Sequence, residues 1–310
     1  MVINEVLTHT DLPELDTIEL FNPTAAPAPV GGWFLTDERD EPRKYVIPAG
    51  TTIPAGGFLL FTEAAYNAGG PNSFALSSLG EEVYLFSGDG TNLTGYRHGF
   101  EFGAQTNGVT FGRHVSSDGR EHLVAQKRKT LGGVNSGPKV GPVVINEIMY
   151  EPPPFGLNAN YLEEFVELRN IGNTAVPLYD PLHPTNTWRL GGGMAYTFPQ
   201  QTSLAAGSCA LVVSFDPAVD PVAVGWFRSR YGLDASVPLF GPFSGRLANE
   251  GDTVALYCPD NPQSPESSAP GFVPQILVER VRYSSQAPWP VRMMTPATII
   301  SRNTEIPTAA

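Results

Sequence analysis

The sequence predicts an all-β chain of two immunoglobulin-like sandwich domains in tandem, and three observations carry that expectation. First, Gly 32 and Pro 30 make one residue in five a turn former, while 41% hydrophobic content is enough for packed cores. Glycines and prolines at that density, with that much apolar sequence, punctuate many short strands. Second, apolar and polar residues alternate over short runs bounded by turn signals. Third, five landmarks occur twice in the same order. Val2-Ile3-Asn4-Glu5-Val6 matches Val144-Ile145-Asn146-Glu147-Ile148, and Ile18-Glu19-Leu20-Phe21-Asn22 matches Val166-Glu167-Leu168-Arg169-Asn170. A tryptophan follows in each (Trp33, Trp188), then an aromatic, Pro and Gly run (Tyr45 to Phe61, Tyr196 to Phe215), then Gly80–Leu85 and Gly251–Leu256. The offset grows from 142 at Ile3/Ile145 to 148 at Glu19/Glu167 and 171 at Val83/Val254, so the second copy carries insertions between strands that keep their order.

In the first copy the alternation places strands near 2–8, 16–22, 30–36, 44–47, 57–62, 82–87, 95–101, 108–115 and 121–126. Asp118-Gly119 marks a hairpin between the last two, because that dipeptide tolerates positive φ. Counting outward from it pairs His114 with Leu123 and Val115 with His122, which sends the two imidazoles to opposite faces. In the second copy strands fall near 143–149, 163–170, 186–190, 195–198, 209–215, 252–258, 275–283 and 297–301. Trp226-Phe227-Arg228-Ser229-Arg230-Tyr231-Gly232, inside the inserted loop 216–238, is the best helix candidate. Leu131 to Pro142 reads as a linker by its glycines and prolines. The expected domains are therefore 1–139 and 143–310, with the boundary within 138–143.

Charge excludes one class of function. The net charge of −12 is shared equally, with 16 acids against 10 bases in residues 1–140 and 15 against 9 in 141–310. Nucleic-acid binding needs a basic stripe, and Lys127-Arg128-Lys129 is too short to supply one. No apolar run is long enough for a transmembrane helix, so membrane insertion is not expected. Met1 leads straight into the first strand with no room for a leader, so the chain is expected to be either cytoplasmic or a piece whose leader was removed, the second being favoured.

The landmark order resembles bacterial lamin-tail domains. The residues that carry the resemblance are Ile3-Asn4-Glu5, Glu19 to Asn22, Gly32-Trp33, Pro48 to Phe61 and Gly80 to Phe86. In the second copy they are Phe243 to Asp252 and Arg282-Tyr283 with Pro288-Trp289-Pro290. The second copy departs at Met293-Met294-Thr295-Pro296, where relatives tend to have a Gly-rich acidic turn. The resemblance implies an immunoglobulin-like sandwich and a non-catalytic module of an exported bacterial multidomain protein. It would be extracellular or at the cell surface, with a protein or a surface glycan as partner and no cofactor.

The residues themselves offer few sites. Hydrolase and nucleotide motifs are absent. Glu5 with Glu19, and Glu147 with Glu167, recur as carboxylate pairs on neighbouring strands, which a calcium ion would explain. The favoured reading is structural: Asn4, Glu5 and Glu19 face solvent or accept backbone hydrogen bonds at a sandwich edge, and alternation supports it, since Ile3 and Ile18 inward put Asn4 and Glu19 outward. Asp37 and Asp40, in Asp37-Glu38-Arg39-Asp40-Glu41, have calcium-like density without the mid-loop Gly or closing Glu of a calcium loop, and a solvated hairpin tip is favoured. Trp33 and Trp188 are both expected in cores. Cys209 and Cys258 form either a disulfide closing about 49 residues, worth roughly 4 kcal/mol in the chain-entropy model, or two separate thiols. The chain is expected not to be an enzyme. The rival readings are a metal-dependent hydrolase using the strand-edge carboxylates and a carbohydrate-binding module using exposed aromatics.

Overall fold

A computed structural model describes residues 1–116, 119–153 and 160–287. The chain is all-β, and its contacts divide it into two compact units, Met1–Lys139 and Val140–Ala310. The expected strand at 297–301 and the Pro288-Trp289-Pro290 and Met293-Met294 segments lie outside the described residues.

The first unit runs β1 (Val2–Leu7), β2 (Thr17–Phe21), β3 (Ala28–Pro29), β4 (Phe34–Thr36), β5 (Tyr45–Val46), β6 (Thr52–Ile53) and β7 (Phe58–Thr62). A short helix, α1 (Glu63–Tyr66), leads to β8 (Gly80–Gly88), β9 (Leu93–Gly103), β10 (Phe111–Val115) and β11 (Glu121–Ala125). One large sheet has the order β11-β10-β1-β2-β7 and the other β5-β4-β8-β9, with β3 and β6 pairing as a small third. Ile3, Val6, Ile18, Leu20 and Phe61 from the first meet Leu35, Val83, Leu85 and Phe102 from the second in one core. Alternation explains this: each strand sends every second side chain inward, and two such faces make a sandwich.

The second unit runs β12 (Val143–Met149), β13 (Phe165–Asn170), β14 (Val176–Pro177), β15 (Arg189–Gly192), β16 (Met194–Thr197), β17 (Ser203–Leu204) and β18 (Cys209–Val213). Then come α2 (Pro221–Tyr231), β19 (Leu239–Phe240), β20 (Ser244–Gly245), β21 (Gly251–Pro259) and β22 (Gln275–Ser284). Its two large sheets are β12-β13-β18-β19 and β20-β16-β15-β21-β22, with β14 and β17 pairing as a small third. Val166, Leu168, Ala210 and Val212 face Leu190, Met194, Val254 and Leu256 across the core. The pairing β12-β13-β18 repeats β1-β2-β7, and β16-β15-β21-β22 repeats β5-β4-β8-β9.

The repeated asparagine that ends the second strand explains part of this shared order. Asn22 donates through Nδ2 to the carbonyls of Ala26, Ile53 and Pro54 at 2.9–3.0 Å. Asn170 donates in the same way to Thr174 and Leu204 at 2.8 and 2.9 Å. Both side chains are wholly buried, so each satisfies loop carbonyls that would otherwise be left unpaired away from water.

The helix expected from Trp226 to Gly232 is longer, starting at Pro221. Its start was written in the sequence: Asp220 accepts from the Ala223 amide at 2.8 Å, Pro221 occupies the first turn, and Gly232 closes the end in the left-handed region at φ 62°. This is the Asp-Pro…Gly grammar of a capped helix. Phe227 buries against Phe165, Leu211, Val213 and Phe215 on the outer face of the β12-β13-β18 sheet. Among the described residues no helix is long and apolar enough to cross a membrane.

The hairpin at the end of the first unit departs from expectation by one position. His114 pairs with His122 and Val115 with Glu121, because the Ser116 amide donates to Arg120 and the Gly119 amide to Ser116. Asp118 lies outside the described residues. A shift of one flips faces, so the two imidazoles lie side by side rather than on opposite faces. Burial first, and the neighbouring His122 second, hold His114 below its ordinary pKa.

Candidate functional site

The repeated Asn-Glu dipeptide sits at a β-bulge in both units. Ile3 pairs with Leu20 and Glu5 with Glu19, so Asn4 is the extra residue. Ile145 pairs with Leu168 and Glu147 with Glu167, leaving Asn146 extra. Strict alternation sends Asn4 outward and Glu5 inward; the bulge turns both to the outer face. Asn4 Nδ2 then donates to Glu19 Oε1 at 2.7 Å, and Asn146 Nδ2 to Glu167 Oε1 at 2.6 Å. The backbone freed at the bulge is also capped in each unit. The Ile3 amide donates to His98 Nδ1 at 3.1 Å, and the Ile145 amide to Glu279 Oε2 at 2.6 Å. His98 Nε2 reaches Glu121 at 3.0 Å and Arg113 reaches the same carboxylate at 2.8 Å, an arrangement that no sequence spacing signalled.

In the first unit the pair is sealed. Glu5 and Glu19 are both wholly buried, and the cover is the segment 130–135, which composition marked as linker. Glu5 Oε1 accepts from the Thr110 hydroxyl at 2.5 Å and the Thr130 amide at 2.8 Å, and Oε2 from the Thr130 hydroxyl at 2.6 Å. The Gly132 amide donates to Glu19 Oε2. Asn135 Oδ1 accepts from Asn4 at 2.8 Å, while its Nδ2 donates to the Asn4 and Arg113 carbonyls at 3.1 and 3.0 Å. Gly132 has φ of +86°, a conformation that favours glycine. All four carboxylate oxygens are therefore spent on N–H and O–H donors, and none is left for a cation or a substrate proton. Burial raises the Glu19 pKa, while Gly132 and Asn4 oppose the rise.

In the second unit the same pair has fewer hydrogen-bond donors among the described residues. Glu167 and Asn146 are only half-buried. Glu147 is 8% exposed, and no described residue donates a hydrogen bond to it. Burial first, and the Glu167 carboxylate second, push the Glu147 pKa up to about 7. Cys209 lies beside Glu167, and burial together with that carboxylate raises its thiol to about 11. Along β12, β13 is the only strand partner among the described residues, whereas β1 lies between β2 and β10.

Asp37 and Asp40 form no cation site together. Lys44 Nζ occupies the middle of the acidic loop, 2.7 Å from Asp37, 3.1 Å from Glu38 and 3.8 Å from Glu41. Burial pulls the Lys44 pKa down, and the contacts with Asp37 and Glu38 outweigh it, so the ammonium is held above its ordinary value. Asp40 is exposed. Among the described residues no three His, Cys, Asp or Glu side chains are arranged to hold a metal ion.

The remaining candidates also fall into place. Trp188 is core, 8% exposed, as expected, while Trp33 is half-buried at the core margin with its ring 5.8 Å from Tyr96. Cys209 and Cys258 are not bonded to each other. Cys209 pairs with Arg169 on the outer face, whereas Cys258 packs against the core from the opposite sheet. Facing different sides of the sandwich, they do not form the disulfide the sequence left open. Thiol titration under denaturing, non-reducing conditions is expected to give two free thiols per chain; a value near zero contradicts the placement. An open depression of about 430 Å³ is lined by Leu79, Gly80, Glu81, Glu82, Glu101 and Phe102. Burial raises the Glu81 pKa to about 7, with the Ser77 amide opposing. No nucleophile or cationic partner lines it.

Residues 1–99 match the model of the Lamin Tail Domain family. No curated protein matches the chain. Among solved structures, a DUF4876 family protein from Bacteroides thetaiotaomicron VPI-5482 is similar at 9% identity, covering 92% of this chain and 78% of that one. Its TM-score is 0.32, too low for any argument about fold or function.

Proposed function

We propose that the chain is a non-catalytic interaction module, two lamin-tail-like sandwiches in tandem, from an exported or cell-surface bacterial protein. The observation that carries this reading is the state of the carboxylates that recur. A catalytic pair needs at least one free oxygen beside a pocket and a partner of matched pKa. Glu5 and Glu19 instead hold a loop in place with every oxygen they have. Recurrence at equivalent bulges is what a fold requirement produces. The family match over residues 1–99 supports the same reading for the first unit, and the repeated bulge, asparagine and sheet order extend it to the second.

The partner is a protein or a surface glycan. For a glycan, the half-buried Trp33 beside Tyr96, which is 40% exposed, is the feature that favours it, since aromatic faces with one polar end suit sugar rings. Screening the chain on phosphoesterase, protease and glycosidase substrates with calcium, magnesium, manganese or zinc is expected to give no turnover. Metal-dependent turnover lost in Glu167→Gln overturns the reading in favour of a hydrolase.

A further inference from the structure

The register of the β10–β11 hairpin makes two imidazoles neighbours. His114 stands directly opposite His122. The turn holds that register, with the Ser116 amide donating to the Arg120 carbonyl and the Gly119 amide to the Ser116 carbonyl, both at 2.9 Å. Residues directly opposite on one face of an antiparallel pair have Cβ atoms about 4.5–5.5 Å apart. The charged neighbours look the other way. Leu123 packs against the core, and Arg113 and His98 share the Glu121 carboxylate at 2.8 and 3.0 Å. Alternation therefore leaves His114 and His122 together on the outer face. His122 is exposed and His114 half-buried. Among the described residues no hydrogen bond or ion pair engages either ring.

We propose that His114 and His122 form a two-imidazole chelate for a divalent transition cation, Cu2+, Ni2+ or Zn2+. Rings on Cβ atoms at that spacing can each bring one nitrogen to about 2.0–2.1 Å from a shared ion, the ordinary zinc–imidazole length. Neutral nitrogen donors select these ions, Cu2+ most tightly, over Ca2+ and Mg2+, which seek oxygen. Among the described residues no third His, Cys, Asp or Glu completes a set, so the remaining coordination positions belong to water. Such a site is open, unlike a structural zinc centre with four protein ligands. The net charge of −12 favours cations near the surface. Because the two rings stand on different strands, an ion bound to both fixes β10 against β11 and stabilises the folded chain by mass action. This site goes beyond the interaction reading and does not depend on it.

The test uses the full chain without a histidine tag and Ni2+ as the probe, which spares Cys209 and Cys258 from copper-driven oxidation. Calorimetric titration is expected to show one saturable Ni2+ site per chain. His122→Asn and His114→Asn should each weaken it at least tenfold, since the second imidazole of a chelate binds intramolecularly. His183→Asn, which removes another exposed histidine, should leave the affinity unchanged. Saturating Ni2+ is expected to raise the melting temperature of the native chain and of His183→Asn, and to leave that of the two hairpin variants where it was. His122 is exposed, so His122→Asn decides the matter even if His114→Asn loses its circular dichroism spectrum. Absence of saturable Ni2+ binding, native affinity in His122→Asn, or an equal loss in His183→Asn overturns the proposal. Turnover in the substrate screen removes the non-catalytic reading and does not alter the Ni2+ result.

Discussion

Replacing Glu5 by alanine is expected to destabilise the chain by about 3–5 kcal/mol, because it leaves three donors, one from the buried Thr110 and two from the half-buried Thr130, without their acceptor. Each orphaned donor costs about 1–3 kcal/mol, and the covering segment loses its main anchor. Urea denaturation followed by circular dichroism measures the loss. The equivalent change in the second unit is expected to act differently, since Glu147 has no described donor to orphan. Its sign follows from linkage. The folded pKa, about 7, lies above the ordinary 4.5, so its contribution to stability is fully present below about 4.5 and lost as pH rises through about 7. Glu147→Gln should therefore be neutral or stabilising at pH 8, and should flatten the decline in stability between pH 5 and pH 8. A loss at Glu147 as large as that at Glu5 contradicts the absence of described donors to Glu147.

Trp188→Ala is expected to cost about 3–5 kcal/mol, the range for deleting a large aromatic from a packed core. Trp33→Ala should cost about half as much, because part of that ring already meets solvent and its removal opens a smaller cavity. The two positions are equivalent in backbone: the Ile47 amide donates to the Trp33 carbonyl and the Phe198 amide to that of Trp188. Differences in loss then report burial alone. Iodide quenching of single-tryptophan variants gives an independent check, with Trp33 quenched more readily than Trp188. Equal losses and equal quenching contradict the assignment of Trp33 to the core margin.

Much of this was legible in the residues. The alternation around Val2–Leu7, Phe58–Thr62 and Val143–Met149 locates strands to within a residue or so at each end, because one buried face enforces a period of two. The repeated order fixed which strands correspond. Two-residue strands such as β6, β14 and β17 were missed, since two residues carry no periodicity to detect. The function of 130–135 was hidden for a different reason. Glycines and polar residues look the same whether they leave a segment free or let it lie close against buried carboxylates, and only the positions of Glu5 and Glu19 distinguish the two. The bulge at Asn4 lets Asn4 and Glu5 share the outer face, which a period of two alone does not allow. His98 and Glu279 could not be found from spacing, because their partners, Ile3 and Ile145, are more than ninety residues away.

That the recurrent carboxylates serve the fold, by binding a segment across the sheet, is tested most directly by amide hydrogen exchange at Thr130 and Gly132. These two N–H groups donate to Glu5 and Glu19. If the clasp is closed as described, they should exchange as slowly as the β1 amides and speed up sharply in Glu5→Ala. Exchange at the rate of an exposed loop in the native chain would contradict it, leaving 130–135 a linker and the paired carboxylates free for other chemistry.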